Sequence, residues 1–94
     1  MDLAAFKSSL TAARPPRGLS APLRALWWAA KGDWAKAHDL AQLRDDKPSA
    51  WVHAYLHRAE GDTDNAAYWY RRGGRRSPRG PLRAEWTSIV RSLL

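Results

Sequence analysis

Two Gly-Asp dipeptides restrict what this chain can fold into more than any other feature. Ala30-Lys31-Gly32-Asp33 and Ala59-Glu60-Gly61-Asp62 stand 29 residues apart, and Ala37 and Ala66 keep the same offset. Glycine reaches the left-handed backbone that ends a helix, and an aspartate directly after it caps the next one. Each copy therefore reads as helix, tight turn, helix. Self-similarity at a fixed period signals stacked supersecondary units, here helical hairpins.

Apolar residues at helical spacing flank both turns. Asp2 caps a first helix in which Leu3, Phe6 and Leu10 share a face. Arg14-Pro15-Pro16-Arg17-Gly18 ends it, because proline lacks an amide donor and clashes with the preceding turn. Ser20 caps a second helix with Pro22 in its first turn, where the missing N–H costs little, and with Leu23, Leu26, Trp27 and Ala30 as its stripe. Trp34, Ala37, His38 and Ala41 share a face of the third. Asp45-Asp46-Lys47-Pro48-Ser49 is a polar loop, and a fourth helix is expected over about residues 49–60 with Trp51, Val52, Tyr55, Leu56 and Ala59 inward. Ala66, Trp69, Tyr70 and Gly73 line the fifth. Residues 73–81, with three Gly, two Pro and three Arg, read as an exposed linker. Leu82, Trp86, Ile89, Val90 and Leu93 mark a last helix. No segment alternates with the two-residue period of a strand. The expected fold is all-α, with five to six short antiparallel helices in a single domain over residues 1–94. Two hairpins occupy residues 20–78, and flanking helices fall in residues 1–14 and 81–94.

The repeat resembles a tetratricopeptide unit. The second copy has small Ala54 on its first helix, Gly61-Asp62 in the turn, small Ala66 and aromatic Tyr70 on its second helix, and Pro78 as terminator. The first keeps Ala25, Trp28, Gly32-Asp33, Trp34 and Ala37. The period is 29 where the family has about 34, Thr63 stands where an aromatic is usual, and Gly73 where a small Ala is. The stretch from Trp51 to Asp62, continued by Tyr68-Trp69-Tyr70-Arg71-Arg72, is also similar to a group of small uncharacterised bacterial proteins. The repeat resemblance implies a curved helical face that holds a peptide or another helix, with terminal helices acting as caps.

Several classes are excluded or disfavoured by content. The absence of cysteine rules out disulfides and thiolate metal ligands. The longest apolar stretch, residues 25–30, is far short of the ~20 a bilayer needs, and no secretory signal precedes the first helix, so the expected compartment is the cytoplasm, without membrane. The net charge of +7 is concentrated late: residues 65–94 hold seven Arg against Glu85 alone. That asymmetry suits an acidic partner.

The sharpest constellation is His53, His57 and Glu60, spaced to share one stripe of the fourth helix. Two His one turn apart with a carboxylate can hold a divalent metal. The stripe falls away from the Trp51–Tyr55–Ala59 face and is expected to line a groove or meet water. It lacks the Glu that follows the first His in a zinc-protease helix, and neither a Cys nor a third nearby His is expected to complete the shell, so no metal, cofactor or catalytic role is assigned to it. His38 joins these two only if the third and fourth helices pack together; alone, it reads as a core or boundary residue. Tyr68, Arg71 and Arg72, continued by Arg75, Arg76, Arg79 and Arg83, form an arginine-rich strip with aromatics nearby. Arginine pairs bidentately with carboxylate or phosphate, and cations also suit a helix C-terminus. Trp28 lies off its helix stripe, as packing against the first helix or as an anchor for a partner.

The expected function is therefore a non-enzymatic interaction module that binds a peptide or helix, with an acidic partner favoured. Trp28, His53, His57, Tyr68, Arg71, Arg72, Arg75 and Arg76 are its candidate contacts. One alternative is nucleic-acid binding through the arginine strip. A second is a metal-dependent enzyme using His53, His57 and Glu60. A short stack of hairpins also exposes apolar ends, which permits self-association.

Overall fold

The computed structural model describes residues 1–94, in six helices and no strand: α1 (Leu3–Ser9), α2 (Ala21–Ala30), α3 (Trp34–Ala41), α4 (Lys47–Ala59), α5 (Thr63–Arg72) and α6 (Leu82–Leu93). The fold is all-α, as the helical periodicity requires. No helix is long and apolar enough to cross a membrane.

The two Gly-Asp turns have the same internal construction. Gly32 and Gly61 take positive φ, +84° and +87°. The amide after each glycine reaches back to the last turn of the preceding helix: Asp33 N to Trp28 O at 3.0 Å and Asp62 N to His57 O at 2.9 Å. The glycine amides bond Ala29 O and Arg58 O. These paired bonds satisfy carbonyls that a helix end leaves open. Each aspartate then caps the following helix, Asp33 accepting from Lys36 N and Asp62 from Asn65 N. In consequence α2 packs on α3 and α4 on α5, as two hairpins.

The centre of the molecule is α4, which touches α2, α3, α5 and α6. Every residue from Ser49 to His57 is buried. Their composition allows this, since no Lys, Arg, Asp or Glu interrupts the run. A helix covered all round has no single apolar stripe. That is why the expectation that the His53–His57 stripe meets water is wrong: both rings are buried, although His53 lines a small pocket with Ala50, Trp69 and Arg72. Its start also differs from the expected residue 49. Asp46 is the cap, accepting from Ser49 N at 2.8 Å, and Pro48 sits in the first turn, where no amide is needed.

Contrary to expectation, the flanking helices do not cap the ends of the hairpin pair; α6 lies against the first helix of each hairpin, α2 and α4, and α1 touches α6. Phe6 of α1 is fully buried with its ring 5.8 Å from Trp86 of α6. Trp86 Nε1 donates to Leu26 O of α2 at 2.9 Å. Trp27 Nε1 donates to Ser9 Oγ at 3.0 Å. The buried stripe of α6 is Glu85, Trp86, Ile89 and Val90, while Leu82, expected inside, is exposed. Glu85 lies one turn before Ile89 and turns inward because donors wait there. It accepts from Tyr70 OH at 2.7 and 2.8 Å, Trp51 Nε1 at 3.2 Å and Arg58 Nη1 at 3.0 Å. This buried carboxylate ties α4, α5 and α6 together. Burial, and then its bond to Glu85, pushes the Tyr70 phenol well above its ordinary range.

Candidate metal centre

Between α3, α4 and α5 the fold brings together the three histidines of the chain. His38 comes from α3, and His53 and His57 come from α4. Each ring is held by an aromatic neighbour or by a hydrogen bond. His38 stacks on Trp34 with centroids 4.6 Å apart and 12° between planes. Trp34 is itself fixed, its Nε1 donating to Leu56 O at 2.8 Å. Trp69 of α5 covers His53 at 3.9 Å and 16°. His53 and His57 stack at 4.9 Å, as residues one helical turn apart can. His53 and His57 are 3% and 6% exposed, whereas His38 is half-buried.

The nitrogens converge. His38 Nε2 and His53 Nε2 are 2.9 Å apart, so one carries the proton that the other accepts. His57 Nδ1 lies 2.7 Å from Glu60 Oε2. An Nδ1–H donated to that carboxylate leaves Nε2 of a neutral ring with its lone pair. One nitrogen from each of His38, His53 and His57 lies within 4.8 Å of the other two. Glu60 and Asp62, in the Gly61 turn, form a second such set with His57 at the rim.

The surroundings of His53 and His38 favour the neutral ring. Burial, and then the neighbouring His38 and His57, lower the His53 pKa to about 4. Burial and His57 lower that of His38 as well, against the opposing pull of Asp39 and Glu60. Neutral imidazole is the form that ligates metals, and it suits zinc, copper, nickel and iron better than the hard cations.

Several of the other expected contact residues are already engaged. His53 and His57 cannot touch a docking partner, since they are inside. Trp28 meets Trp27 edge-on at 4.9 Å, carries Lys36 Nζ over its ring at 4.1 Å, and borders the 13–19 segment after α1. Tyr68, Arg71, Arg72, Arg75 and Arg76 are exposed. Arg72 nevertheless donates to Tyr68 OH and to Asp45 Oδ1, at 3.0 and 2.9 Å. The guanidinium of Arg75 lies over the Trp51 ring at 3.3 Å. Arg71 and Arg76 form no ion pair, and Arg76 lines one pocket with Arg75 and Arg79.

The expectation that no third His stands near His53 and His57 is wrong: α3 and α4 pack together, the condition on which the sequence let His38 join them, and His38 completes the set. One further part was missed. Trp69, taken as ordinary core, is the lid over His53. No protein-family model, curated protein or solved structure matches this chain.

Proposed function

We propose that this protein binds one divalent transition-metal ion through His38, His53 and His57. The observation that carries the proposal is the convergence of one nitrogen from each ring within 4.8 Å, from residues on two different helices. A tetrahedral ion with metal–nitrogen bonds of ~2.0–2.1 Å sets its ligands about 3.3 Å apart. The 2.9 Å between His38 and His53 needs only a slight opening to match. Glu60 stands in the position of the carboxylate that commonly holds a ligating histidine by its other nitrogen. Stacking on Trp34 and Trp69 holds the rings in place, so little order is lost on binding. With only nitrogen donors from the protein, zinc, nickel, copper or cobalt suits the set, and calcium or magnesium does not. The ion would join α3 to α4, so its binding energy adds to folding.

The test is titration of chelator-stripped protein with Zn2+ by calorimetry, and with Co2+ by visible absorption. The expected result is one ion per chain, with an absorption band of tetrahedral nitrogen-bound Co2+. His38→Gln and His53→Gln, checked for retained helicity, should each weaken binding at least tenfold. No saturable binding at pH 7.5, or equal binding in both variants, overturns the proposal.

A further inference from the structure

The largest cleft of the molecule shares no residue with the histidine cluster. It encloses roughly 860 Å³ between α1, α6 and the end of α2, with Tyr55 of α4 at its base. Leu10, Leu82 and Trp86 line it, together with the cations Lys7, Arg83 and Arg91. No acidic residue lines it. None of the three cations has a carboxylate within 4.0 Å. The fold therefore leaves positive charge unanswered on both walls of an apolar trough.

We infer that this trough is the docking site for an acidic amphipathic helix of another protein. The walls are helices, and a groove between helices takes the apolar face of a third. Arg83 and Arg91 lie eight residues apart on one side of α6, about 12 Å at 1.5 Å per residue. Carboxylates two turns apart on a docked helix match that spacing, and Lys7 meets a third from the opposite wall. Leu82, exposed although it opens the apolar pattern of α6, and half-buried Leu10 are the surfaces that such a helix would cover.

The same features argue against other occupants. A second copy docked about a two-fold axis would set Lys7, Arg83 and Arg91 against themselves, in a chain already carrying +7. Nucleic acid would find phosphate contacts but no stacking platform, because Trp86 and Tyr55 are 8% and 9% exposed.

The experiment uses the full chain, in chelator, so that failure of metal binding does not affect it. The probe is a fluorescein-labelled 16-residue peptide with Leu at positions i, i+3, i+4, i+7 and i+11 and Glu at flanking positions, read by anisotropy at 0.15 M salt. Two competitors are a scrambled peptide of the same composition and a 12-nucleotide single-stranded DNA. Saturable binding is expected, at least tenfold tighter than to the scramble. Arg83→Glu with Arg91→Glu should weaken it more than tenfold, and Leu82→Asp at least fivefold. Arg76→Glu, remote from the cleft, should change it less than twofold. All these sites are exposed, so the variants are expected to fold, and circular dichroism checks this. Equal affinity for the scramble, tighter binding of the DNA, or sedimentation of the free chain as a dimer that Arg83→Glu dissociates would each overturn the inference.

Discussion

Replacing Glu85 by alanine should be among the most damaging single changes in this protein, although the residue is an ordinary-looking acid in a basic segment. Its side chain is 4% exposed and answers three donors on two other helices: Arg58 and Trp51 on α4, and Tyr70 on α5. Removing one partner of a buried ion pair costs ~3–5 kcal/mol, because the other charge stays behind unpaired. Arg58 keeps 23% of its side chain in water, which argues for the lower part of that range. Tyr70 is only 2% exposed, so its hydroxyl, left without an acceptor, adds to the loss at ~1–3 kcal/mol. Shared partners make these terms less than additive. A net loss of about 3–5 kcal/mol is expected, against a total of roughly 5–14 kcal/mol for a domain of this size. At ~4–8 °C per kcal/mol, Tm falls by about 12–40 °C. Urea denaturation followed by far-ultraviolet circular dichroism measures the first quantity, and thermal melts measure the second. A Glu85→Ala protein within about 0.5 kcal/mol of the parent would refute the claim that this carboxylate holds α4, α5 and α6 together. A double-mutant cycle with Tyr70→Phe should show coupling above about 1 kcal/mol, since the two share a direct bond.

Gly61→Ala should cost ~1–2 kcal/mol in urea unfolding: its φ is +87° and nothing lies within 4 Å of an added Cβ, so the loss is backbone strain alone. Asp33→Ala and Asp62→Ala should each cost about 1 kcal/mol through the lost caps, and costs near zero would contradict the turn geometry. Ser9→Ala strands the indole N–H of fully buried Trp27 and should cost ~1–3 kcal/mol by the same assay, visible also as a change in tryptophan emission. Metal-free protein should lose stability in acid. The His53 pKa is about 4 in the folded state and near 6.5 when unfolded, so the unfolded chain binds the extra proton. The contribution is whole above pH 6.5 and falls away toward pH 4, by up to about 3 kcal/mol. Urea midpoints in chelator across that range check it, and a His53→Phe variant with an unchanged slope would contradict it.

Local order was legible in the residues themselves. Gly32-Asp33 and Gly61-Asp62 carry their instruction in backbone chemistry: a residue free to take positive φ, then a side chain that accepts from the next helix. The same holds for Asp2 and Ser20 as caps. Such interactions span a few residues, so the sequence alone starts the helices closely, except that α4 begins two residues before its expected start; the first helix, expected to run to the Pro15-Pro16 break, already ends at Ser9.

What surrounds each helix is a different kind of information. A helical wheel assumes one buried face and one wet one, and α4 has neither, because four helices enclose it. That enclosure puts His53 and His57 inside, brings His38 across from α3 to meet them, and lays Trp69 over the set. It also turns Glu85 inward, since its donors on α4 and α5 lie 15 to 34 residues away along the chain. Burial and the meeting of remote side chains depend on contacts between helices, which only the packed structure supplies. Turns and caps depend on neighbours a few bonds away, which the sequence already contains.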